Sequence, residues 1–338
     1  MKVVVTGGAG FLGSHVAEEL ASHGHEVAIL DRVKPRGERL GGVEMIQVDL
    51  LDLEALTASF RGRDAVCHLA GVGDVYLAAS EPFTAAAYNA VGTANVAEAA
   101  RRNTVGKLVY ASTWEVYGKP ATRPVDESHP CRPDHPYNIT KYAGELLALS
   151  YDHLHDVPTI ALRLGTAYGL RMRPNSVFSL FISRALAGEP IVISGSGEQT
   201  RQFTHARDIA RGFRLAAEAP ARGEVVNLTA TENISIRQLA ELIAERLPTA
   251  IHFGPARPGD IEPALIDSAR ARELLGWEAR VSFREGLFEL VESAVKAVKE
   301  ERSRAPHEPS VARADDTVAV DGVASPQPQR AQEPAGPR

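Results

Sequence analysis

The run Thr6-Gly-Gly-Ala-Gly-Phe-Leu-Gly-Ser14 follows a β-branched segment, Lys2-Val-Val-Val-Thr6, and opens a helical pattern at about 11–23. Glycines at these spacings suit a tight turn at Gly7, close approach of a pyrophosphate at Gly10, and close helix–sheet packing at Gly13. The helix N-terminus then turns free N–H groups and a positive dipole end toward the phosphates. An ordinary glycine-rich turn shares the glycines alone. The preceding strand, the following helix and an acid at the end of the next strand favour a dinucleotide site.

That acid is Asp31, after Val27-Ala-Ile-Leu30. A carboxylate there accepts hydrogen bonds from the adenosine ribose and repels a 2′-phosphate, which favours NAD over NADP. Arg32 works against that preference, since a guanidinium can receive a 2′-phosphate. Asp49, after the third strand, fits either a polar contact at the adenine end or a turn residue.

Strand patterns at Val3–Thr6, Val27–Leu30, Met45–Val48, Ala65–Leu69 and Lys107–Ser112 alternate with helical ones at about 11–23, 52–60 and 81–102. Thr159–Leu164 adds a further strand. The alternation predicts right-handed βαβ units around a doubly wound parallel sheet, an α/β fold. After about residue 165, loops rich in Gly, Pro and Arg separate helices near 177–187, 206–219, 235–246, 267–275 and 283–300. That irregularity predicts a smaller lobe whose loops face a ligand. From residue 303 to 338 periodicity vanishes, and so weakly apolar a stretch is expected to be disordered.

With 44% apolar and 24% charged residues the chain reads as a soluble globular protein. A net charge of −6 argues against nucleic-acid and anionic-membrane partners. The two cysteines, Cys67 and Cys131, suit neither a metal site nor a disulfide framework. With no signal-peptide pattern and no spanning apolar run, a cytoplasmic location is expected.

Chemistry enters at Thr113 and at Tyr137-Asn-Ile-Thr-Lys141. Pro136 suits the first position of a helix, and residues four apart on that helix share a face. A lysine ammonium beside a phenol favours the phenolate, so Tyr137 is expected to work as a base near neutral pH. Downstream of a dinucleotide turn, this pairing points to redox chemistry on a hydroxyl group.

Thr6–Gly13, His68-Leu-Ala-Gly71, Ser112-Thr-Trp-Glu-Val-Tyr-Gly118 and Tyr137-x-x-x-Lys141 together resemble the extended short-chain dehydrogenase/reductase superfamily. Within it the chain is similar to the NAD-dependent nucleotide-sugar epimerase/dehydratase branch, over about residues 1–300. The resemblance implies a Rossmann-type NAD domain at 1–165, a C-terminal α/β lobe for a nucleotide-diphosphate sugar at 166–302, and a homodimer. It makes Tyr137 the catalytic base, Lys141 the residue that lowers its pKa, and Thr113 the partner of the reacting hydroxyl. Its cofactor contacts are Gly7, Gly10, Phe11, Leu12, Gly13, Asp31, Asp49, Leu50, Leu69, Ala70, Tyr137 and Lys141. Its substrate contacts are Thr113, Thr166, Arg201 and Arg257.

Departures narrow the reaction. The 4,6-dehydratases carry Asp-Glu after the catalytic threonine, whereas Trp114 and Glu115 stand here. Trp114 cannot protonate a leaving 6-hydroxyl, while Glu115 keeps a carboxylate able to exchange a proton at C5. The expected activity is therefore an NAD-dependent 4-epimerase acting through a 4-keto sugar. A dehydratase or decarboxylase using Glu115, or a non-catalytic NAD or sugar-nucleotide-binding regulator, are the alternatives.

Overall fold

Successive residues of the first strand, β1 (Lys2–Thr6), enter opposite cores: Val3 and Val5 join one apolar cluster, Val4 the other. A strand buried on both faces belongs inside a covered parallel sheet. In the computed structural model, which describes residues 1–33, 43–120, 122–256 and 265–304, β1 holds that central place. The other strands of the first half are β2 (Glu26–Asp31), β3 (Glu44–Gln47), β4 (Ala65–His68), β5 (Lys107–Thr113) and β6 (Thr159–Leu164). Each lies within about two residues of its expected bounds. Helices α1 (Phe11–Ser22), α2 (Leu53–Ser59), α3 (Val75–Ser80), α4 (Pro82–Ala86), α5 (Gly92–Arg102) and α6 (Pro136–His155) connect them. The single helix expected at 81–102 is interrupted by a π-helical turn, Ala87–Val91, between α4 and α5.

In the second half follow β7 (Thr166–Tyr168), α7 (Val177–Leu186), β8 (Ile191–Ser194), β9 (Thr200–Arg201), β10 (Phe203–His205) and α8 (Ala206–Glu218). Next come β11 (Glu224–Leu228), β12 (Ile234–Ser235), α9 (Ile236–Arg246), β13 (Ile251–Gly254), α10 (Ala269–Leu275) and α11 (Phe283–Arg304). β11 was not anticipated. It pairs in parallel with β6 and completes a seven-stranded sheet of order β11-β6-β5-β4-β1-β2-β3.

The reversal of strand order lies between β1 and β4, and such a switch point opens a crevice at the strands' carboxyl ends. α1 and α8 cover one face of the sheet; α2, α5 and α6 cover the other. The chain beyond residue 165 is thus split: α8, β11 and α10 return to the sheet, and much of the rest builds a second core. That core gathers Tyr168, Phe178, Phe203, Leu239, Ile243, Phe283 and Leu287. Met1–Val298 form one compact unit. The disorder expected from residue 303 falls almost wholly outside the described residues. No helix among them is long and apolar enough to cross a membrane.

Candidate active site

A cavity of about 920 Å³ opens at the switch point, lined from both the sheet and the second core. At one end the glycine turn forms a cradle that side chains would fill. Gly7 has φ +72°, and a Cβ on Gly13 would lie 2.1 Å from the Gly7 carbonyl oxygen. No side chain caps α1 and no acid occupies its first turn, so its leading N–H groups and dipole face the cavity. This turn suits a pyrophosphate.

Asp31 ends β2 on the same wall, where its carboxylate accepts from the N–H of Ala9 (3.2 Å) and of Val33 (3.2 Å). Arg32 Nη1 donates to the hydroxyl of Tyr88 (3.1 Å), and its Cζ lies 5.1 Å from that ring's centroid. Tyr88 in turn donates to Asp49 Oδ2 (3.0 Å), whose Oδ1 accepts from Leu51 N–H (2.9 Å). Asp49 therefore serves a turn and an anchoring chain, and it is not among the lining residues. Leu50, Leu69, Ala70, Phe11 and Leu12 do line the cavity.

Toward the second core, α6 delivers Tyr137 and Lys141 to the cavity as its i, i+4 spacing requires. Pro136 stands at the first position, and His135 with Asn138 forms a capping box that fixes the helix start. Thr113, the last residue of β5, lines the cavity with Tyr137 and lowers the pKa of its phenol. Thr113 Oγ1 accepts from the N–H of Glu115 at 3.3 Å.

The electrostatics differ from the sequence expectation. Burial and the nearby Glu115 carboxylate push Tyr137 above its ordinary pKa, against weaker lowering by Thr113 and Arg173. Burial lowers Lys141 to about 7, with Glu145 opposing. Burial raises Glu115 to about 7, opposed by Arg201 and reinforced by Asp134. Spacing put the ammonium on the right face, but desolvation outweighs it at the phenol.

Thr166 lines the cavity from β7. Arg201, on β9, is not a lining residue and reaches the site through its charge on Glu115. Arg257 lies outside the described residues.

Several lining groups escaped the sequence reading. The segment Gly71–Val75 after β4 is pinned by Asn89, whose side chain accepts from Val72 N–H (2.8 Å) and donates to Val72 O (3.1 Å). Asn89 also donates to Thr140 Oγ1 (3.0 Å), tying that segment to α6. An asparagine in mid-helix was the available signal, because it favours local backbone hydrogen bonds over helix. Arg173, from the loop before α7, pairs across the cavity with Asp74.

Behind the site, Glu145 (1% exposed) takes a hydrogen bond from Ser112 (2.5 Å) and a fork from Arg163, at 3.1 and 2.6 Å. Arg163→Met would strand that buried carboxylate. We expect a loss of about 3–5 kcal/mol, read as a lower urea midpoint at unchanged m.

His68 sits between Thr6 (2.7 Å) and Thr93 (3.0 Å), and burial lowers it to about 3. It is a neutral buried bridge. Cys67 is fully buried, with its thiol pushed up to about 12. Among the described residues no cluster of His, Cys, Asp and Glu could hold a metal.

Comparison with known proteins agrees with this geometry. Residues 3–229 match the model of the NAD dependent epimerase/dehydratase family. The chain is 34% identical over 307 residues to a UDP-glucose 4-epimerase of Mycolicibacterium smegmatis, spanning 86% of this chain and 98% of that one. It is 30% identical over 309 residues to a dTDP-glucose 4,6-dehydratase of Streptomyces niveus, spanning 86% and 92%. The crystal structure of UDP-glucose 4-epimerase from Thermotoga maritima with UDP-glucose superposes with a TM-score of 0.83 at 31% identity, covering 88% of this chain and 100% of that one. This chain is an enzyme with NAD as its cofactor and belongs to the NAD-dependent epimerase/dehydratase family.

Proposed function

We propose that the protein is a nucleotide-sugar 4-epimerase, acting on a sugar linked to a nucleoside diphosphate. The observation that carries this reading is one cavity lined by the glycine cradle, Thr113, Tyr137, Lys141 and the buried, apolar Trp114. Gly7, Gly10, Gly13 and Asp31 would hold NAD, which supplies a reversible two-electron acceptor when bound. Tyr137 Oη would take the proton of the C4 hydroxyl and later return it, with Thr113 Oγ1 holding that hydroxyl in place. Lys141, as ammonium, would stabilise the phenolate form of Tyr137 that accepts this proton. The keto sugar would turn within the cavity and regain its hydrogen on the other face. Trp114 supports epimerisation over dehydration, since it occupies the position directly after Thr113 and cannot protonate a leaving hydroxyl.

A second reading rests on Glu115, a carboxyl raised to about 7 that acts on Tyr137. As a C5 base it would have to be ionised, so the rate would climb with pH through about 7. Lys141 imposes the opposite limb, because its ammonium is lost as pH rises through about 7. Under the epimerase reading, Glu115→Gln keeps substantial turnover and products formed in heavy water carry no deuterium at C5. Deuterium at C5, or a variant stalled at the keto sugar, would replace epimerisation with elimination or decarboxylation.

We read the enzyme as a cytoplasmic homodimer. Phe83 (86% exposed) on α4 and Ile139, Leu146 and Leu154 on α6 are exposed apolar residues that support self-association, checked by light scattering.

A further inference from the structure

Even-numbered residues of β5 face α6: Tyr110 reaches Lys141, and Ser112 reaches Glu145. Tyr110 is fully buried and touches Lys141 twice. Its ring lies under the ammonium, with Nζ 4.4 Å from the centroid, and its hydroxyl donates to the Lys141 carbonyl at 3.0 Å. Gly144 makes room for this grip, because a Cβ there would lie 2.5 Å from Tyr110 Oη. Among the described residues no hydrogen bond or ion pair engages Lys141 Nζ, so the ring is its protein contact.

We propose that Tyr110 is the positioning residue of Lys141, seating the ammonium on its ring face so that the nitrogen's N–H groups stay directed to cofactor and substrate. A carboxylate partner would consume those donors and hold the charge off the cavity. An aromatic face stabilises a cation without accepting a conventional hydrogen bond, and does so most where water is excluded. The surroundings leave this contact its weight. Burial keeps His68, packed 5.6 Å from Tyr110, uncharged. Glu145, one turn along α6, favours the ammonium, but its carboxylate is already forked by Arg163. Burial and the Glu115 carboxylate push Tyr137, also on α6, above its ordinary pKa. The catalytic meaning of the contact rests on the epimerase reading; the contact itself does not.

The test replaces Tyr110 by phenylalanine, by ring-fluorinated phenylalanines of nearly the same shape, and by leucine, in the full chain. Lys141 is followed by NMR of ¹³Cε-lysine, its signal assigned with Lys141→Met. Phenylalanine should nearly preserve the Lys141 titration, while successive fluorines lower it stepwise, by about one pH unit at trifluorination or in Tyr110→Leu. Conversion of UDP-glucose to UDP-galactose should fall about three- to tenfold in kcat across the same series, its descending pH limb moving to lower pH. Should Tyr110→Leu fail to fold, the fluorinated set still decides. A Lys141 titration indifferent to fluorination overturns the proposal and leaves Tyr110 a core residue. A wild-type chain that converts no sugar nucleotide would sink the epimerase reading instead, with the titration still deciding the role of Tyr110.

Discussion

Tyr137→Phe is expected to reduce turnover by about 10²–10⁴-fold while leaving NAD content and the melting temperature close to those of the wild type. Only the phenolic oxygen is lost, and with it the influence that Thr113 exerts on that hydroxyl. The ring stays in place, because Pro136 and the His135–Asn138 box, not the hydroxyl, fix the start of α6. The variant should therefore be folded, cofactor-loaded and slow. Turnover of purified variant near the wild-type rate would remove Tyr137 from the chemistry.

Gly13→Ala should weaken NAD binding by about 10- to 100-fold, measured by calorimetric titration of cofactor-stripped protein. The added methyl would meet the Gly7 carbonyl oxygen at 2.1 Å. The oxygen is backbone and the methyl is fixed directly to the Gly13 backbone, and Gly7 O already accepts from Gly10 N–H at 3.0 Å, so neither side of the turn can give way. Gly24→Ala is the control. That glycine has φ +82° but nothing within 4 Å, so backbone strain is added without blocking the cradle. Equal loss of NAD affinity in both variants would mean that Gly13 acts through general stability.

What could be read along the chain was local in origin. The β1–α1 glycine turn, the strands from β1 to β6, the acid ending β2 and the Tyr137–Lys141 face of α6 each follow from spacing within about a dozen residues. Backbone sterics, helical periodicity and capping act at that range, so residue order alone determined them. What the tertiary structure decided depends on partners far apart in sequence. β11 was missed because a short strand at the sheet's edge is defined by its pairing with β6, some sixty residues earlier. Asn89 against Val72, Arg173 against Asp74, and Tyr110 beneath Lys141 likewise exist only once β4, β5, α6 and the second core converge on one cavity. The charge states lie furthest from the sequence. Residue order placed a lysine beside a tyrosine, but burial and Glu115 set the phenol, and burial set the ammonium. A pKa is fixed by all the water removed and all the charges within reach, and only the folded chain assembles both.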